Sequence, residues 1–141
     1  MEEMTPAEAR HFLLDTPRTG KLATVRADGR PHVAPIWFDL DGDDLMFTTW
    51  HTSVKAANLR HNGQIALCVD DEQPPYAYVI VEGTIEFVDG LNTLLHWATR
   101  LASRYMGPEL GVTYGKRNGV EGELLVRVTI TKLIGYKDIA D

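Results

Sequence analysis

A single cysteine, Cys68, stands among the 141 residues, so no internal disulfide can form and none can staple the fold. Long apolar runs are missing as well. No stretch reaches the roughly 20 residues a membrane-crossing helix needs, and each is broken by Asp, Glu, Lys or Gly. The opening MEEMTPAEAR carries acids and no basic, then apolar, leader. The expectation is a cytoplasmic protein with no membrane partner. Cations are in deficit: 14 Lys and Arg face 20 Asp and Glu, a net charge of −6, which argues against nucleic acid as a partner. An anionic ligand would have to be met by a local cation instead.

Several chemistries are excluded by missing motifs. There is no G-x-S-x-G elbow, no G-x-G-x-x-G and no P-loop Gly-Lys-Ser/Thr, which removes the common hydrolase and nucleotide signatures. His11, His32, His51, His61 and His96 are scattered without H-x-H or H-E-x-x-H spacing, so no metal site is expected. Cys68 lies mid-run in Ile65-Ala66-Leu67-Cys68-Val69 and reads as a buried core thiol rather than a nucleophile.

What is present is one domain, residues 1–141, with 44% hydrophobic content, enough for one continuous core. Thr5-Pro6-Ala7-Glu8 is a capping box with Pro at the first helical position, predicting a helix to about Leu14. From Lys21 the pattern alternates with period two, turns at Asp28-Gly29 and resumes from Pro31 to Phe38. Pro35 lacks a ladder donor, so it marks an edge, a bulge or backbone left free for a ligand. A turn at Asp41-Gly42 precedes a strand from Leu45 to Thr49, giving an expected three-stranded meander.

Further along, Val54 to His61 reads as a short helix, with Val54, Ala57 and Leu59 inward and a stop at Asn62-Gly63. Ile65–Val69 and Tyr76–Val88 read as strands, the second bent or bulged at Gly83. Asn92 to Tyr105 reads as a helix burying Leu94, Leu95, Ala98, Leu101 and Ala102, ended by Gly107-Pro108. Glu123 to Leu133 is the last strand. Six antiparallel strands with short connecting helices predict a mainly β fold, a β-barrel that closes to remove its edges.

Where the third strand ends and a helix begins, Thr48, Thr49, Thr52, Ser53 and Lys55 fall together. Free N–H groups and a lysine one turn in make an anion cradle. The same residues equally suit plain helix capping beside a solvated lysine. Trp37, Trp50, Tyr76 and Tyr78 either line a substrate space or belong to the core. No catalytic acid or base stands out.

The order G-K-L-A-T-V-R-A-D-G-R-P-H-V-A-P-I-W-F from Gly20 to Phe38, then Thr48-Thr49, K-A-A-N-L from Lys55 to Leu59, and V-E-G-T from Val81 to Thr84 resembles the pyridoxamine 5′-phosphate oxidase-like split-barrel superfamily. It is most similar to the branch that uses the deazaflavin F420 in place of FMN. The resemblance spans about Thr5 to Tyr136. It implies a six-stranded split barrel in which Ala34, Pro35, Ile36 and Trp37 lie against the flavin or deazaflavin ring. Thr48 and Thr49 would bond the ribityl or phosphate region, and Ser53, Lys55 and Asn58 would hold the phosphate. It also implies a homodimer with Tyr76 and Tyr78 entering the partner's site, and an oxidoreductase passing hydride between F420, or alternatively FMN, and a small conjugated substrate. A binding protein that carries a flavin, deazaflavin or tetrapyrrole without turnover is the other implied class. At Leu133-Ile134-Gly135-Tyr136-Lys137-Asp138 the basic substrate-phosphate residues of the true oxidases are lacking, so pyridoxamine phosphate oxidation is not implied.

Overall fold

Thr5 closes both halves of its capping box: its hydroxyl accepts the Glu8 N–H at 3.1 Å while the Glu8 carboxylate accepts the Thr5 N–H at 3.0 Å. In the computed structural model, which describes all 141 residues, this opens helix α1, Pro6–Asp15. The remaining elements in chain order are strands β1 (Glu2–Glu3), β2 (Gly20–Val25), β3 (Pro31–Ile36), β4 (Asp39–Asp41) and β5 (Asp44–Trp50), helix α2 (Val54–His61), β6 (Gln64–Asp71), β7 (Ala77–Val88), α3 (Leu91–Met106), α4 (Pro108–Asn118) and β8 (Glu123–Lys137).

All strands belong to one antiparallel sheet in the order β3-β2-β6-β7-β8-β5-β4, with β1 added to β8. The fold is the expected mainly β split barrel, with three corrections. There are eight strands rather than six, because two short ones, β1 and β4, carry too little periodicity to be seen in sequence. The expected meander does not form, since β5 pairs with β8 (Phe47 opposite Val126) and not with β3. The barrel is not closed by hydrogen bonds: the path ends at β3 and β4.

The reason the sheet stops at β3 is legible in its prolines. The Arg26 N–H bonds the Arg30 carbonyl across the β2–β3 turn. By alternation, the pairs Thr24–His32, Leu22–Ala34 and Gly20–Ile36 face each other through hydrogen bonds, and Pro31, Val33 and Pro35 turn their backbones outward. Consistently, the Arg26 guanidinium reaches the outward carbonyl of Pro31 at 2.9 Å. Prolines thus occupy two of the three outward donor positions. No β2 bond is lost, and no further strand can ladder onto this edge.

The main core gathers Phe12, Leu13, Phe38, Phe47, Val81 and Val126 with their neighbours inside the curved sheet, and α1 packs on β7 and β8. The bend in β7 falls at Glu82/Gly83 as expected, where a Cβ on Gly83 would sit 2.5 Å from the Thr129 carbonyl oxygen. A second cluster of Met46, Leu94, Trp97 and Leu125 seats α3 on the outer face of β5 and β8, so these strands are covered on both faces.

Three side-chain placements differ from expectation. In α2, Ala56, Asn58 and Leu59 face inward while Val54 is 48% exposed, because the Ser53 cap sets the helical phase. In α3, Trp97 is buried and Leu95 is outward. Cys68 is half-buried on the outer face of β6 rather than in the core, and burial, then Asp70, pushes its thiol upward, away from the reactive thiolate.

Helix α4 was not expected at all. Interior glycines ordinarily weaken a helix, yet Gly111 and Gly115 let α4 lie directly on α3. A Cβ at Gly111 would meet the Ser103 Cα at 2.7 Å, and one at Gly115 would meet the Thr99 Cα at 2.6 Å.

Candidate ligand cleft

Local capping shapes the first wall of the cleft. Ser53 is the N-cap of α2: its Oγ accepts the Ala56 N–H at 3.0 Å and lies 2.7 Å from the Thr49 Oγ1 at the end of β5. Two hydroxyls and the start of a helix are thereby locked together, with Lys55 in the first helical turn. The strand-to-helix turn is clamped by the Arg60 guanidinium on the His51 carbonyl (2.8 Å) and by the His51 Nδ1 against the Gly122 carbonyl (2.9 Å).

The opposite wall is the corner between β3 and β4, Pro35, Ile36 and Trp37. The Trp37 ring stacks on Tyr105 of α3, centroids 5.2 Å apart and planes within 4°. Tyr105 is itself pinned, donating its hydroxyl to the Arg18 carbonyl at 2.8 Å and accepting the Phe38 N–H at 3.2 Å. Burial pushes the Tyr105 phenol above its ordinary range, so it remains a neutral donor. Arg100 of α3 bonds the buried Asp39 of β4 at 2.9 Å, which fixes the same corner from a second direction.

Between these walls lies a cavity of about 480 Å³. Of the residues expected to bind a cofactor, Pro35, Ile36, Trp37, Thr48, Thr49, Ser53 and Lys55 line it together. Trp50, also anticipated near a substrate, joins them. Thr19, Ala98, Leu101, Asn118 and Glu123 line it too and were not foreseen. Their position depends on long-range packing: Glu123 enters because β8 pairs Glu123 with Trp50, and Asn118 because the unexpected α4 follows α3.

Four expected residues lie elsewhere. Asn58 is only 5% exposed and donates to the Thr24 Oγ1 at 2.9 Å, which ties α2 to β2 and turns the amide away from the cleft. Ala34 is half-buried beside the wall without lining it. Tyr76, at φ 65°, borders a separate cavity of about 520 Å³ with Glu8, His11 and Lys137. Tyr78 leans on Tyr136 with centroids 5.6 Å apart. Neither tyrosine reaches the cleft of its own chain.

The cleft carries one charge of each sign, Lys55 and Glu123. Burial pushes the Glu123 carboxyl up to about 6, partly countered by the field of Lys55. The arrangement can take a ligand with a flat apolar body against Ile36 and Trp37 and a polar or anionic end at the hydroxyls, Lys55 and the helix start.

A curved antiparallel sheet with an aromatic-walled, cation-ended cleft places the chain in the split-barrel fold class. Residues 5–136 match the model of the pyridoxamine 5′-phosphate oxidase family, and the chain belongs to that family. Among solved structures, an F420 reductase is 33% identical with a TM-score of 0.74, covering 87% of this chain and 94% of its own. A conserved hypothetical protein of Mycobacterium tuberculosis is 26% identical with a TM-score of 0.82, covering 96% and 86%. A heme storage protein of Vibrio cholerae shares the fold at 20% identity and a TM-score of 0.67, covering 90% and 89%. No curated protein matches the chain. None of its helices is long and apolar enough to cross a membrane.

Proposed function

We propose that this protein is an oxidoreductase that binds a deazaflavin of the F420 type, with FMN as the alternative, and reduces or oxidises a small conjugated organic substrate. The observation that carries the reading is the joining, in one cavity, of Ile36 and Trp37 with Thr48, Thr49, Ser53 and Lys55. The 33% identity to an F420 reductase across most of both chains supports it.

The residues present suit such a cofactor. Lys55 and the first N–H groups of α2 answer a phosphate, and the Thr48, Thr49 and Ser53 hydroxyls suit a ribityl chain. The corner held by Tyr105 offers an apolar and aromatic surface to a ring system. When bound, such a cofactor supplies two-electron hydride transfer. The chain's own part is to orient it and to exclude water with Ala98 and Leu101 from the α3 side.

The proposed assembly is a homodimer. On the outer face of the sheet, Cys68, Ile80 and Ile134 are neighbours across β6, β7 and β8 and are half-buried, with Ala66, Tyr78 and Tyr136 beside them. The ion pairs Lys21–Asp70 and Lys132–Glu82 flank this apolar strip, the pattern of an interface core with a polar rim. Tyr76 and Tyr78, which do not reach their own cleft, are then available to the partner's.

The deciding experiment is equilibrium titration of the purified protein with F420 and with FMN, followed by single-turnover oxidation of the reduced complex by enones, quinones or biliverdin. Tighter binding of F420 with hydride transfer to an acceptor supports the proposal. Binding without oxidation by any acceptor favours a carrier, and preference for FMN replaces the cofactor.

A further inference from the structure

The anion end of the cleft is poor in cations. Among the residues lining it, Lys55 is the one cation and Glu123 the one carboxylate. The Glu123 side chain takes part in no hydrogen bond or ion pair that favours its charged form; only burial and the field of Lys55 act on it. A carboxylate left in this way is not a structural brace. It stands beside the helix start, Thr48, Thr49 and Ser53, where an anionic group would seat.

We infer that Glu123 sets the charge of the ligand: with Lys55 it admits a phosphodiester bearing one negative charge and rejects a phosphomonoester bearing two unless Glu123 is protonated. The inference rests on the reading of the cleft as a cofactor site. Its basis is a charge count. At neutral pH the charges of Lys55 and Glu123 sum to zero, so a bound anion held by Lys55 meets no net positive side-chain charge beyond the dipoles of the α2 N–H groups and hydroxyls. Those dipoles suit a single charge. A second charge on the phosphate would face the ionised carboxylate across a partly desolvated cleft, where like charges repel strongly.

No other charged group offsets this. The corner of β3 and β4 offers Pro35, Ile36 and Trp37, and α3 offers Ala98 and Leu101. From α4 comes Asn118, while the preceding Lys116 and Arg117 are exposed and do not line the cavity. On the turn after β5, the His51 ring is engaged with the Gly122 carbonyl and the Arg60 guanidinium with the His51 carbonyl. The loop before β8 adds Glu121, another acid, exposed.

Linkage gives the direction. Glu123 ionises near pH 6 in the free protein, and a bound anion raises that value further. Affinity for a dianionic ligand is therefore highest below about pH 6 and falls as the pH rises above it, on the order of tenfold for each unit by which the anion raises the carboxyl.

The test uses three deazaflavins that differ only at the ribityl end: one without phosphate, its terminal phosphate monoester, and the methyl diester of that phosphate. Binding is read by quenching of Trp37 and Trp50 in the wild-type protein and E123Q at about pH 7.5 and about pH 5.5. In the wild type at the higher pH, the diester is expected to bind on the order of tenfold more tightly than the monoester. E123Q should remove most of that gap by gaining the monoester, with the phosphate-free compound unchanged. The monoester's own second ionisation, near pH 6, is read in E123Q, where it is the only one left. E123A is read in the same way if E123Q does not fold. Equal monoester-to-diester ratios in the wild type and the variant overturn the role of Glu123 alone. The phosphate-free compound binding as tightly as the diester overturns the phosphate seat at the start of α2 and this inference with it, while failure of all three compounds to bind overturns the cofactor site itself.

Discussion

Gly115 of α4 lies so close to Thr99 of α3 that a Cβ there would stand 2.1 Å from the threonine Oγ1 and 2.6 Å from its Cα. The hydroxyl could rotate away, but the backbone cannot without parting the helices. Gly115→Ala is therefore expected to destabilise the protein by about 1–3 kcal/mol, the usual cost of overpacking, despite the higher helix propensity of alanine. Val112→Ala, on the exposed side of the same helix, should change stability little. Chemical denaturation of both variants checks this, and equal midpoints for Gly115→Ala and the wild type would show that the helices have room to spare.

That contact also explains what the sequence could reveal. Signals held within a few residues were readable: the Thr5 cap and a cap at Thr52 or Ser53 located α1 and α2, and the run from Thr48 to Lys55 placed hydroxyls and a lysine together because strand end and helix start are adjacent in the chain. Whatever depends on distant partners was not readable. Asn58 looked like a ligand until Thr24 claimed its amide. Gly107-Pro108, which reads as a helix end, is followed at once by α4, whose Gly111 and Gly115 pack against α3, and Glu123 becomes a cleft residue only through its register opposite Trp50.

Glu8 supplies a pH prediction. Its carboxylate is bonded by the Lys137 ammonium and the Thr5 N–H, which hold its pKa near 2 against an ordinary 4.5. The folded value is the lower one, so the stabilisation is present above about pH 4.5 and is lost as the pH falls toward 2. Glu8→Gln should melt below the wild type at neutral pH, with a difference that shrinks steadily through that acid window. A gap independent of pH would mean that the carboxylate charge is not what matters.

For the assembly, light scattering at micromolar concentration is expected to give about twice the 15.8 kDa chain mass. Ile80→Asp should shift the protein to monomer, since it sets a charge in the middle of the apolar strip formed with Cys68 and Ile134. Wild-type monomer that still binds cofactor would remove any role for the partner's Tyr76 and Tyr78.

Lys55 and Asn58, three residues apart on α2, should separate affinity from stability. Lys55 lines the cleft, so Lys55→Ala should weaken F420 binding by about 1.5–3 kcal/mol, the range for a hydrogen bond to a charged group, or roughly tenfold to a hundredfold. Its melting temperature should barely move, because alanine suits a helix and an unpaired lysine contributes little to folding. Raising salt should weaken wild-type binding more than that of the variant, as a screened charge pair requires. Asn58→Ala should do the reverse. It leaves the buried Thr24 hydroxyl without its donor, at a cost of about 1–3 kcal/mol in stability, while the folded fraction keeps its affinity. The check is calorimetric titration of both variants, alongside denaturant melts. Normal affinity in Lys55→Ala at low salt would move the phosphate site away from the start of α2. A large affinity loss in well-folded Asn58→Ala would return Asn58 to the ligand.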